Sequence, residues 1–317
     1  MADHSVVIRV AFALCAMSAA AGCAAPQYDK PVGAFATATS DAQEALAGYS
    51  KGMVAAQEDR TRNSAVAAPY RVRSLAGECG PSSTRCRLVL YQQQGDPSPL
   101  YQPQDDPQPQ AASPVASLPG VVTLMGRIAR YAESLNAIVT SDSAASVETS
   151  AAAAGESISG IAALMPGAAP AGGNVKPSGS SIGWMKADAL KQAVSRADPV
   201  LAKVPEAFGA TAQQATVAMQ AHMADVVAAR RAAFRARSTR ENLDRAAAAA
   251  EAYDAFLRND ATPAVVLNEL VKAHADLNQA LQSNASPAAL AERMNAFQAH
   301  AARLAKSLGA LQTAQAG

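Results

Sequence analysis

Aromatic residues are scarce, at 4% of 317 positions with one tryptophan, which excludes a core built on large rings. No charge sign dominates: 27 Lys and Arg face 26 Asp and Glu, for a net +1. That balance argues against a dedicated nucleic-acid binder. The one marked apolar run, Val10 to Gly22, has thirteen residues. As a helix it would span roughly 20 Å, short of the roughly 30 Å of a bilayer core, so it reads as the apolar segment of a signal peptide rather than a membrane span. There is no Gly-x-Ser-x-Gly elbow and no phosphate-binding glycine loop; Gly172, Gly173, Gly179 and Gly183 lie in a polar stretch without a flanking strand. The four histidines are His4, His222, His274 and His300, and none has a Glu three or four residues away as in a di-iron or zinc helix. No catalytic residue, metal or cofactor is expected, and the chain is not expected to be an enzyme.

Alanine is abundant instead. It favours helix but offers little side chain to bury. The expectation is an all-α, elongated, coiled-coil-like multi-helix bundle, packed closely through small residues. Apolar residues recur at alternating spacings of three and four, the mark of a helix with one buried stripe. Ala42, Leu46, Tyr49, Met53 and Ala56 define a first helix near 34–67. Val121, Leu124, Ile128, Tyr131, Leu135 and Ile138 define a second near 119–140. Val147, Ala151, Ala154, Ile158, Ile161 and Met165 form a third, out of register with the second, so a break is expected at 141–146, where Ser141-Asp142-Ser143 offers capping oxygens.

Trp184 opens the second half. Ala187, Leu190, Val194 and Ala197 line a short helix, interrupted by Pro199 and Pro205. From Glu206 to about Arg237 the seam is Phe208, Ala212, Ala215, Met219, His222, Val226, Ala229 and Ala233. Ser238-Thr239-Arg240-Glu241 has the form of a capping box, so a new helix starts there or the rod continues to Arg258. Thr262-Pro263 and Ser286-Pro287 each place a cap before a first-position proline. Their helices carry Val266, Leu270, Ala273, Leu277 and Leu281, then Leu290, Met294, Phe297, Ala301, Leu304, Leu308 and Leu311. The short connections imply antiparallel neighbours. Whether 34–165 and 184–317 share one core stays open.

Two segments interrupt the helices. In the insertion 69–117, Arg71 to Arg73 and Arg87 to Tyr91 could pair as short strands, followed by a Gln/Pro-rich stretch from 92 that cannot bury enough apolar area to order itself. Residues 166–183 form a Gly/Pro-rich linker.

The N terminus carries the one recognisable motif. Ala20-Ala21-Gly22-Cys23, directly after the apolar run, resembles the lipobox of a bacterial lipoprotein precursor. The resemblance implies a signal peptide over 1–22, a diacylglyceryl thioether and an amide-linked acyl chain on Cys23, and a lipidated tether over 23–33. Three acyl chains would anchor the chain permanently. Ala24 in place of Asp favours the outer membrane, facing the periplasm. Ordinary secretion, with cleavage after Ala21 or Ala25, is the rival outcome. Cys15 leaves with the signal peptide. In an oxidising compartment Cys79 and Cys86, with six residues between them, read as a disulfide closing a small loop worth roughly 2–3 kcal/mol.

One charge cluster stands out. Arg230, Arg231, Arg235, Arg237, Arg240 and Arg245 crowd a short length of helix. They read either as a solvated face whose long side chains cover apolar surface or as a patch for an anionic envelope partner. The functional expectation is a lipid-anchored structural or interaction protein, such as an accessory subunit of an envelope complex. The alternative is a helical module binding a small apolar ligand or an anionic envelope component. No nucleic-acid partner is expected, and the sequence leaves the oligomeric state open.

Overall fold

A computed structural model describes residues 28–67, 72–76, 87–90, 114–165, 174–283 and 287–316. Its helices are α1 (Asp29–Ala67), α2 (Pro114–Thr140), α3 (Ala144–Ala162), α4 (Ile182–Leu201), α5 (Val204–Ala236), α6 (Arg240–Arg258), α7 (Pro263–Ser283) and α8 (Pro287–Ala316). Between α1 and α2 lie β1 (Val72–Ala76) and β2 (Arg87–Leu90). The two strands pair antiparallel, Ala76 opposite Arg87 and Val72 opposite Leu90, with an irregularity between Val72 and Ser74.

The seams read from the sequence are the buried faces. Every seam residue named for α1, α2, α3 and α7 is buried, as are Leu290, Met294, Phe297, Ala301 and Leu304 of α8. All of them but Ala56 belong to one contiguous core that draws on both halves of the chain. α1 lies between α2 and α8 and packs extensively on both, so the first and last helices of the fold are neighbours. Short connections place α2 against α3 and α7 against α8, as antiparallel neighbours require. Close packing through small residues is visible where Met219 of α5 lies 3.5 Å from the position a Cβ on Gly52 of α1 would take.

Several expectations are corrected. The expected elongated helical bundle is present, its helices folded back on one another, but the insertion adds the two-stranded β1–β2 ribbon, and the expected disulfide-closed loop is not borne out. No disulfide is present among the described residues; Cys79 and Cys86 themselves lie outside them. α1 begins at Asp29, inside the 23–33 segment expected to precede the first helix, and accommodates Pro31 in its first turn, where a missing N–H costs nothing. Pro199 does not interrupt α4 but sits inside its last turn, and the chain turns instead at Ala202 and Lys203. α2 starts earlier than expected and carries Pro119 within its second turn. Part of the linker 166–183 is structured: Val175 is buried, and Asp188 Oδ2 accepts from the Ser178 backbone N–H at 2.8 Å and its hydroxyl at 2.9 Å. Gly179, at φ +148°, takes a backbone conformation that side-chain-bearing residues rarely adopt.

The helix ends follow capping chemistry. Ser143 accepts from the Ser146 N–H and starts α3. Thr239, not Ser238, accepts from the Asn242 N–H and starts α6. Ser238 instead turns its hydroxyl back to the Phe234 carbonyl, so the expected capping box does not form as written. The alternative left open by the sequence resolves to a break: Arg237 is extended, at φ −144° and ψ 98°, and α5 and α6 make a hairpin.

Candidate functional site: an arginine hairpin and a buried polar network

The six arginines gather at the tip of the α5–α6 hairpin. α5 buries Val204, Ala212, Ala215, Met219, His222, Met223 and Val227, and then no residue from 228 to 236. Ala229 and Ala233, which continue the sequence seam, are exposed: periodicity persists beyond the body that would cover it. α6 buries only Ala246 and Ala249. Arg231, Arg235, Arg237, Arg240 and Arg245 are exposed and Arg230 is half-buried. Arg240 pairs with Asp244 at 3.9 Å and Arg245 with Glu241 at 2.6 Å, each one helical turn along α6. Such surface pairs contribute about 0.2–1 kcal/mol. Arg231 and Arg235, one turn apart, form a stripe on α5, and Arg237 stands at its extended C-cap.

The hairpin and Tyr28, the first described residue, lie at opposite ends. Tyr28 donates its hydroxyl to the Ala280 carbonyl near the end of α7. Farther along α1, the Tyr49 hydroxyl reaches the Ala215 carbonyl and Gly52 meets Met219, so α1 and α5 run parallel. At 1.5 Å per residue, Tyr28 to Tyr49 covers roughly 30 Å and Ala215 to Ala236 roughly 30 Å more. A second route agrees: Arg303 of α8 holds Asp260 at the lower end of α6 at 3.1 Å. α6 then rises roughly 27 Å. Allowing for helix tilt, the tip stands roughly 50–60 Å from Tyr28.

The core contains a polar network that spacing in sequence did not reveal. His274 of α7 is fully buried. Its Nδ1 lies 3.2 Å from Asp198 Oδ1 on α4, and its Nε2 lies 2.9 Å from the Tyr131 hydroxyl on α2. An ionised carboxylate only accepts, so Nδ1 carries the proton and Tyr131 donates to Nε2. The rings of Phe35 and Tyr131 lie 6.0 and 5.7 Å from the imidazole centroid. Burial pushes the His274 pKa down, against the opposing pull of Asp198. The bond from His274 holds the Asp198 carboxyl below its usual value. Burial, with the Asp198 charge adding to it, raises the Tyr131 phenol. Outward from this centre, Gln282 donates to Ser195 at 2.6 Å and Ser195 to Asn278 at 3.3 Å. The network bridges α2, α4 and α7. Tyr131 and His274 are both at 0% exposure, whereas the Asp198 side chain is 33% exposed, so the network runs from the core toward the surface and ties three helices together. Tyr131 was legible as a seam residue; Asp198 and His274 are brought together only by the fold.

The other histidines are placed separately. His222 is buried on α5, and His300 on α8 accepts from Arg303 at 2.9 Å. Among the described residues no three His, Cys, Asp or Glu side chains cluster as metal ligands, and no helix is long and apolar enough to cross a membrane. A cavity of about 530 Å³ opens between α7 and α8, lined by Asp276, Gln279, Leu290 and Arg293 among others, away from both Trp184 and Phe208. Its charged rim is engaged: Arg293 contacts Asp276 at 2.7 Å and Glu269 at 3.5 Å. Trp184 is half-exposed at the start of α4. Cys23 and residues 1–22, on which the lipobox reading rests, lie outside the described residues.

No family model, curated protein or solved structure matches this chain.

Proposed function

We propose that the chain is a non-enzymatic, lipid-anchored interaction protein of a bacterial cell envelope, tethered through Cys23 to the outer membrane and reaching into the periplasm. The supporting observation is the α5–α6 hairpin, whose last α5 turns bury nothing while presenting arginines and bare alanine surface. A stable helical body carries this hairpin at the end remote from Tyr28. Four residues lie between Cys23 and Tyr28, and the five steps could span at most roughly 18 Å. The body is a spacer in this reading, and the hairpin is its contact element. The buried Tyr131–His274–Asp198 network fixes helix register within the spacer.

Intact-mass analysis of the protein extracted from membranes, joined to fractionation, tests the anchor. The reading expects a chain beginning at Cys23 with acyl mass added and sedimenting with outer membrane. An unmodified Cys23, or a product trimmed elsewhere and recovered in the soluble fraction, would refute it.

A further inference from the structure

The identity of the hairpin's partner follows from three features of the tip, given the reading of the hairpin as the contact element. The first is charge. Residues 228–245 hold six arginines against two carboxylates, Glu241 and Asp244. Both carboxylates are already taken by Arg245 and Arg240. Arg231, Arg235 and Arg237 have exposed guanidinium groups that make no ion pair among the described residues. A guanidinium fork matches a carboxylate or phosphate with two parallel hydrogen bonds.

The second feature is relief. The exposed residues between the arginines are alanines: Ala228, Ala229, Ala232, Ala233 and Ala236 on α5. Small residues let a second helix approach at the short end of the 8–10 Å interaxial range. Insertion into a bilayer interface calls for large apolar side chains such as Trp, Phe and Leu on the face opposite the basic one. The tip has few: Leu243 is 49% exposed and Phe234 is half-buried. The third feature is position, since the tip stands roughly 50 Å or more from Tyr28. Arginines so placed are held off the bilayer that the tether would occupy, well beyond a Debye length of about 8 Å.

We infer that the α5–α6 hairpin docks an acidic α-helical segment of another protein, its carboxylates engaging Arg231, Arg235 and Arg237 and its backbone lying along the alanine surface of α5. A second copy of this chain is the nearest competitor, because α6 exposes Glu251 and Asp254. An anionic lipid surface is the other.

The test uses the full chain and a defined probe: a synthetic amphipathic helix of about five turns with glutamates at four-residue spacing. A control peptide has the same composition plus two central prolines. Binding is titrated in detergent by fluorescence anisotropy at two salt concentrations. The expected result is that the helical peptide binds at least about tenfold more tightly than the control. Affinity falls with salt, and the triple variant R231E/R235E/R237E loses it while keeping its circular dichroism and melting temperature. Equal binding of the two peptides, or none, overturns the inference. In parallel, protein inserted into phosphatidylcholine vesicles is offered separate phosphatidylglycerol vesicles. Arginine-dependent capture of those vesicles without peptide binding identifies lipid as the occupant and overturns the inference, as does mutual clustering of the neutral vesicles, which identifies a second copy. The peptide titration does not need the anchor, so an unlipidated Cys23 would sink the proposed tether and leave this result standing.

Discussion

Replacing Tyr131 with Phe removes one oxygen from the centre of the bundle and nothing else of its shape. In the native protein that hydroxyl donates to His274 Nε2 at 2.9 Å, and both side chains are at 0% exposure. The imidazole cannot turn to find another donor, because its Nδ1 is committed to Asp198 and the Phe35 ring lies 6.0 Å away, centroid to centroid. The substitution therefore deletes a buried hydrogen bond and leaves a buried acceptor unsatisfied. The cost of such an orphan is about 1–3 kcal/mol, against which the easier burial of a Phe ring offsets a fraction. At about 2–4 °C per kcal/mol for a chain of this size, Tyr131→Phe should lower the melting temperature by roughly 3–8 °C. Urea unfolding should show the same loss with an unchanged m-value. His274→Phe in the Tyr131→Phe background removes the orphan acceptor and should recover part of the stability. A Tyr131→Phe protein within about 0.5 kcal/mol of wild type would refute the assignment of Tyr131 as the donor to a dry imidazole.

Four further outcomes are expected. Stability should fall in acid below about pH 6.5: the His274 pKa is depressed by burial, so the unfolded chain binds a proton that the native one refuses, with a slope of up to about 1.4 kcal/mol per pH unit. Asp198, whose pKa is also lowered, adds a second loss as pH drops through the carboxylate range; denaturant midpoints from pH 8 to 4 measure both, and His274→Phe should flatten the upper limb. Gly209→Ala should stabilise by roughly 0.5–1 kcal/mol, since a Cβ there meets nothing within 4 Å in the interior of α5. Gly179→Ala should destabilise by roughly 1–3 kcal/mol, because φ is +148° and the new Cβ would lie 2.9 Å from that of Trp184; paired thermal melts separate the two signs. Arg293→Met should cost about 1 kcal/mol or less, by separating α8 from Glu269 and Asp276 of α7, with the difference shrinking in high salt because the groups are partly solvated.

Most helices could be read from the chain because their information is local. The three-four alternation in Val121 through Ile138, or Val266 through Leu281, names the buried face wherever a partner exists. It says nothing about where the partner stops, which is why Ala229 and Ala233 are on the seam in sequence and in solvent in the structure. Prolines were read too strictly. Pro31 sits in the first turn of α1, where no helix bond is forgone, whereas Pro119 and Pro199 each forgo one and the packed helices α2 and α4 run through them. The arginine cluster was legible as charge, and only the hairpin break at Arg237 turned it into a tip. The Tyr131–His274–Asp198 network was not legible, since its members are 67, 76 and 143 residues apart and meet through packing of three helices.

The account depends on the proposed tether and the arginine tip occupying opposite ends of one rigid body. Spin labels introduced by a non-cysteine chemistry at the exposed positions Lys30 and Ala232 of the full chain, read by double electron–electron resonance, measure that separation directly. A narrow distribution centred at roughly 50 Å is predicted from the helix lengths. A distribution centred below about 30 Å would fold the hairpin back toward the tether and contradict the account.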